Sequence, residues 1–281
     1  MNERYIVDRE GLQQQLRLKG TFGRWVSGLL YKVLELQEVN EMNALYYDLK
    51  GPDFAAAVIK GVGASYNYPA DQLANIPEEG GFITVSNHPI GSIDGMILVD
   101  IVARKRPDYK ILTTFLLALI PSLRSSFIPV NNLSTGDTRT VSGIRAALSH
   151  IAEGHPLGLF PAGEVSTYQK KENRRNPEGK AVVEDKPWAE NMMKLIRRSG
   201  FPVVPIYFQG GNSKSFHILG KIHRRLRTVR LPHEMLNKKG SHIEVQIGKP
   251  IPAAQLAGYS DKELAKYLRD CCYQLESQIK P

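Results

Sequence analysis

The sequence predicts an α/β fold, a mostly parallel sheet covered by helices on both faces, preceded by an N-terminal helical segment. Three observations predict it. From about residue 82, short apolar runs alternate with stretches of helical periodicity. Three of those runs are followed at once by a polar cluster: SNHPIGSID after FITV, AGEVS after LGLFP, and QGGNS after VVPIYF. In a parallel sheet these clusters share one edge, outside the carboxyl ends of the strands, where ligands bind in such folds. The first 50 residues lack the alternation and carry a single apolar stripe at three-four spacing. Residues 1–50 therefore read as an N-terminal amphipathic helical segment and 51–281 as the α/β domain.

The elements follow in order. The stripe is Phe22, Trp25, Val26, Leu29, Leu30, Val33 and Leu34, a face for the core or for lipid with Trp25 at the interface. FITVS (82–86) reads as a strand, and DGMILVDIVARK (94–105) as a helix capped by Ser92 or Asp94. YKILTT (109–114) and SFIPV (126–130) read as extended. GDTRTVSGIRAALSHIAEG (136–154) is a helix between two glycines, and PLGLFP (156–161) a buried strand. PWAENMMKLIRRSG (187–200) is a helix opened by proline and closed by glycine. FPVVPIYF (201–208) and HIEVQIG (242–248) are strands, and a last helix runs from about 261 to 278.

The chain has 281 residues, a net charge of +9 and a pI of about 9.4. That excess favours an anionic partner: a membrane surface, a nucleic acid or an acidic carrier. No recognition-helix motif or interleaved aromatic-basic platform supports nucleic acid. The seven histidines show no paired ligand spacing, so no metal is expected. Cys271 and Cys272 are adjacent and read as free thiols of a reducing compartment. MNERYIVDREGLQQQ lacks the apolar core of a signal peptide. No apolar run reaches the roughly 18 residues that cross a bilayer. The expectation is a cytoplasmic protein that can touch a membrane without crossing it.

His88 at a strand end has the chemistry of a general base near neutral pH. Asp94, six residues on, is placed to fix its tautomer if Gly91 turns the loop back. Alternatively Asp94 only caps its helix and His88 only packs. Glu164 is either a solvated strand-end residue or part of the same pocket, and the Gly-Gly of QGGNS is a turn unless Asn212 meets substrate. KSFHILGKIHRRLRTVR (214–230) has six Lys or Arg and no acid, with Ile218, Ile222, Leu226 and Val229 at helical spacing. It suits anionic lipid through Arg224, Arg225 and Arg227, or packs its apolar side on the core. KKENRR (170–175) adds Lys170, Lys171 and Arg174, for lipid or an acidic carrier.

Asn87-His88-Pro89, the aspartate, the Phe160-Pro161 strand end and the proline-bearing VVPIYF together resemble the glycerophosphate and lysophosphatidate acyltransferase superfamily, over residues 82 to 213. The resemblance implies an enzyme with no bound cofactor. Its histidine takes a proton from an acceptor hydroxyl, its aspartate orients that histidine, and the alkoxide attacks an acyl carrier protein or CoA thioester. Three departures stand out. Five residues separate His88 from Asp94 where the family has four, which puts Ile93 at the usual place. The family's Phe-Pro-Glu-Gly-Thr is Phe160-Pro161-Ala162-Gly163-Glu164-Val165-Ser166, with the glutamate two places on and so on the same face. The second block ends in Asn131 and Asn132 rather than in a phosphate-binding arginine, with Arg124 and Arg139 nearby.

NHPxGxxDG with FPAGEVS resembles a bacterial hemolysin-like branch, which in turn resembles the O-acyltransferases of ornithine and glycine lipid synthesis. That implies a lyso-aminolipid acceptor, which needs no phosphate clamp. The implied substrate-binding residues are Asn87, Gly163, Glu164, Ser166, Arg139 and Asn131. Gly163 and Ser166 are candidate donors to the substrate or to its oxyanion. Lysophosphatidate acyltransferase and a non-enzymatic membrane-binding protein are the alternatives.

Overall fold

VVPIYF is apolar along its whole length because helices cover both of its faces. In the computed structural model all six residues of this strand are buried. Val204, Ile206 and Phe208 join one hydrophobic cluster and Val203 and Tyr207 the other, the two-residue alternation of a pleated strand. The structure describes residues 6, 9–15, 18–114, 117, 120–130, 138–170 and 179–279.

The strands are β1 (Ser65–Asn67), β2 (Ile83–Ser86), β3 (Lys110–Thr114), β4 (Phe127–Val130), β5 (Leu157–Leu159), β6 (Thr167–Gln169), β7 (Val182–Glu184), β8 (Val203–Phe208) and β9 (His242–Ile247). Seven of them form one sheet in the order β1-β9-β8-β2-β5-β3-β4. β8, β2, β5, β3 and β4 are parallel. β9 runs antiparallel to β8 and carries β1 beside it, so the reversed strands lie at one edge. β6 and β7 form a separate antiparallel hairpin. The fold is the predicted mostly parallel α/β sheet.

The three strands that lead into the polar clusters are neighbours, with β2 between β8 and β5. Gly158 permits that close packing. A Cβ there would stand 2.1 Å from the Tyr109 hydroxyl, which is bonded to Thr84 Oγ1 at 2.7 Å. One face is covered by helices α4 (Gly51–Gly61) and α5 (Ser92–Leu98), around Phe54, Ile93 and Ile97. The other is covered by α7 (Glu190–Ser199) and α12 (Asp261–Gln274), around Met192, Leu264 and Leu268. The predicted helix over 94–105 begins earlier, at Ser92, and widens to a π turn over Val99–Ala103. The helix expected from Pro187 begins at Glu190 and ends, as expected, on Gly200 in a left-handed conformation.

Before the sheet come α1 (Arg9–Gln15), α2 (Gly20–Val33) and α3 (Leu36–Leu45). The apolar stripe of α2 does not enter the core. Gly23 and Ser27 are its buried positions, while Phe22 is 72% and Trp25 64% exposed. The basic segment over 214–230 is broken at His223, whose extended backbone separates α8 (Lys214–Ile222) from α9 (Arg224–Val229). A short α10 (Leu231–Leu236) follows.

Candidate active site

The end of β2 presents Asn87 and His88, and the chain then doubles back. Gly91 makes this turn with φ +116°, a conformation that side chains rarely adopt. The turn brings Asp94, in the first turn of α5, under the imidazole. His88 Nδ1 lies 3.0 Å from Asp94 Oδ2. The same oxygen accepts the N–H groups of Ile90 and Gly91 at 2.9 and 3.0 Å. The longer loop is thus drawn in by its own backbone donors. Ile93, at the family's usual position, is fully buried in the core. Asp94 has no exposed surface and, among the described residues, its Oδ1 has no hydrogen-bond partner, whereas the His88 side chain is 18% exposed. Phe160 stacks on the imidazole at 4.2 Å between centroids. With Nδ1–H directed at Asp94, Nε2 carries the free lone pair, the tautomer of a general base.

Residue 88 is also held through its backbone. Its carbonyl accepts the Ser166 N–H at 2.8 Å and its N–H donates to Asp185 Oδ1 at 3.2 Å. Asp185 is buried and also accepts Ser166 Oγ–H at 2.6 Å and Trp188 Nε1–H at 2.9 Å. Burial pushes its carboxyl above the ordinary range, and these donors pull it back. Ser166 and Asp185 flank the β6–β7 hairpin, so the root of that hairpin clamps both backbone groups of His88. Sequence reading missed Asp185; the signal available was an acid just before Pro187 and Trp188, directly after VVE. Asp185→Ala leaves three donors without an acceptor, each costing about 1–3 kcal/mol. The expected loss of unfolding free energy is about 3–5 kcal/mol, read from denaturant midpoints, with a smaller loss for Asp185→Asn. A loss below about 1 kcal/mol would remove Asp185 from this role.

The remaining expected site residues divide. Asn87 was expected at the substrate, but its carboxamide exchanges two hydrogen bonds with the backbone of Phe208, at 2.9 and 2.8 Å, and ties β2 to β8. Gly163 and Ser166 were expected to offer donors. The Gly163 N–H is committed to the Phe160 carbonyl, and both Ser166 donors to His88 and Asp185. Asn212, singled out in QGGNS, donates to the carbonyls of Pro89 and Ile90 at 3.3 and 2.9 Å. Lys238 Nζ in turn donates to Asn212 Oδ1 at 2.9 Å, so Asn212 braces the His88 loop.

Glu164 is held by Lys186 at 2.6 Å and Arg227 at 2.7 Å. Arg227, expected on a membrane or carrier surface, is therefore largely buried; the carboxylate draws it inward from α9. Lys170 is exposed at the end of the hairpin strand. Asn131, Lys171 and Arg174 lie outside the described residues, as do the side chains of Arg139, Arg224 and Arg225.

The chain is similar to curated proteins over nearly all of its length. It is 25% identical over 260 residues to the lyso-glycine lipid O-acyltransferase of Bacteroides thetaiotaomicron, covering 90% of each chain. It is 27% identical over 247 residues to the protein of that name in Phocaeicola vulgatus, covering 84% of this chain and 83% of the relative. The fold is similar to that of the 1-acyl-sn-glycerophosphate (LPA) acyltransferase PlsC from Thermotoga maritima, with a TM-score of 0.50 at 18% identity, covering 90% of this chain and 88% of the other. The model of a family described as acyltransferase matches residues 14–280, and with its histidine, aspartate and strand-end blocks on one sheet edge the chain belongs to that acyltransferase family.

Proposed function

We propose that this acyltransferase moves a fatty acyl group from an acyl carrier protein or CoA thioester to the free hydroxyl of a lyso-aminolipid of the glycine or ornithine type. The observation that carries the chemistry is the 3.0 Å contact between His88 Nδ1 and Asp94 Oδ2, which leaves Nε2 as the base. Nε2 takes the proton of the acceptor hydroxyl as its oxygen adds to the thioester carbonyl. The C–O bond forms, the C–S bond breaks, and the leaving thiolate takes the proton back from the imidazolium. Asp94 stabilises the imidazolium between these steps. The names of the relatives support the aminolipid acceptor.

The same reading puts the protein on an anionic membrane surface. Phe22 and Trp25 on α2 and Ile218 and Ile222 on α8, the last two 56% and 69% exposed, stand among the exposed cations Lys19, Arg24, Lys32, Lys214 and Lys221. Among the described residues no helix is long and apolar enough to cross a membrane.

The test presents purified protein with palmitoyl-CoA or palmitoyl-acyl carrier protein as donor and N-(3-hydroxypalmitoyl)glycine or lysophosphatidate as acceptor. Products are identified by mass spectrometry. The diacylated glycine lipid is expected. Phosphatidate alone would keep the acyl transfer and overturn the acceptor; no product from any pair would overturn the reading.

A further inference from the structure

Beside the hairpin root lies a hollow of about 360 Å³ lined by Thr167, Tyr168, Lys170, Ala181, Gly220, Lys221 and Arg227. One lining residue, Thr167, directly follows Ser166, whose N–H holds the His88 carbonyl. Among the described residues its walls carry three cations and no acid. Lys221 Nζ lies over the Tyr168 ring, 4.6 Å from the centroid, which keeps that charge at the wall. Arg227 is fixed by Glu164, and Lys186 shares the same carboxylate. Counting the described residues Lys170, Lys186, Lys221 and Arg227 against Glu164, the cluster is positive, and a partly enclosed wall strengthens such a field.

We infer that this hollow binds the carboxylate of the acceptor lipid and so selects an acidic aminolipid head group. The inference rests on the acyl-transfer reading above and adds to it the residues that recognise the head group. It also accounts for the altered third block. Glu164 does not point a negative charge at the acceptor; it sets Arg227 and Lys186 in place beside the hollow. The cations then come from the hairpin and from α8 and α9 rather than from the end of β4. The other oxyanion with access is the phosphate of the donor's pantetheine arm, and the experiment separates the two.

Palmitoylglycine has the acceptor's carboxylate and no hydroxyl to acylate, so its binding is independent of turnover. Calorimetry should show wild-type protein binding it at least about tenfold more tightly than its methyl ester, one charge-assisted contact being worth that much. Lys170→Ala/Lys221→Ala should abolish this preference, while Lys60→Ala/Lys249→Ala, an equal loss of charge at remote exposed positions, should keep it. A preference that survives Lys170→Ala/Lys221→Ala would overturn the inference, as would equal binding of acid and ester by the wild type. A rise in donor KM with the acid–ester preference intact would likewise overturn it and assign the hollow to the donor phosphate. If the preference depends on the two lysines but N-(3-hydroxypalmitoyl)glycine is not acylated, the acyl-transfer reading falls and the carboxylate site stands.

Discussion

Replacing His88 with alanine should lower acyl transfer by about three to four orders of magnitude, the upper part of the range for losing a general base. The residue's anchors are backbone groups: its N–H to Asp185 and its carbonyl to Ser166. Alanine retains both. The substitution removes a part-exposed ring and its stack on Phe160, and it leaves Asp94 with the Ile90 and Gly91 donors. The variant should therefore melt within a few degrees of wild type and should still float with anionic liposomes, because the α2 and α8 residues proposed to meet lipid are unchanged. Initial rates with a thioester donor, measured beside a thermal melt, read both. A folded variant that kept more than about a tenth of the rate would exclude His88 as the base. A loss of liposome binding in parallel would mean that the substitution had disturbed more than the site.

The convergence of the site was legible in the sequence because it follows from topology. Three apolar runs, each followed by a polar cluster, reach one edge once β8, β2 and β5 lie side by side and parallel. The reach of Asp94 was legible only as one of two readings, conditional on a turn at Gly91. It depends on one glycine at φ +116° and on two backbone N–H groups that turn toward the carboxylate, which residue spacing does not encode. The hairpin was missed because β6 and β7 are three residues each, with no strong alternation to read. The pairings of Asp185 and Arg227 were hidden for a different reason. Their partners, His88 and Glu164, are 97 and 63 residues away, and only the fold decides such pairings. Exposure of the α2 stripe was open as well, since three-four spacing is the same whether the face meets core or lipid.

Substituting Asp94 separates two contributions that alanine at His88 removes together. In Asp94→Asn the amide oxygen can take the place of Oδ2 and accept the same three donors, His88 Nδ1–H, Ile90 N–H and Gly91 N–H. The amide nitrogen then occupies the Oδ1 site, which is buried and makes no hydrogen bond with the described residues, so no hydrogen bond to them is lost there. The reverse orientation would point an NH2 group at three donors and is disfavoured. The tautomer survives and the charge does not. A unit charge about 4 Å from the imidazolium is worth up to about 4 kcal/mol at an effective dielectric of about 20. Each 1.4 kcal/mol or so is a decade of rate, so kcat should fall by about two to three orders of magnitude with acceptor KM little changed. Asp94→Ala should fall further, because it also frees the ring and leaves the two loop N–H groups unsatisfied. Ile93→Ala is the control at the position where the family has its aspartate. Ile93 is wholly buried, so its truncation should cost about 2–5 kcal/mol of stability while the protein that remains folded keeps its specific activity. Full activity in Asp94→Asn would reduce Asp94 to a tie for its loop and leave His88 to act without a partner. Loss of activity in folded Ile93→Ala would mean that core packing under the loop, rather than the carboxylate, sets the position of the base.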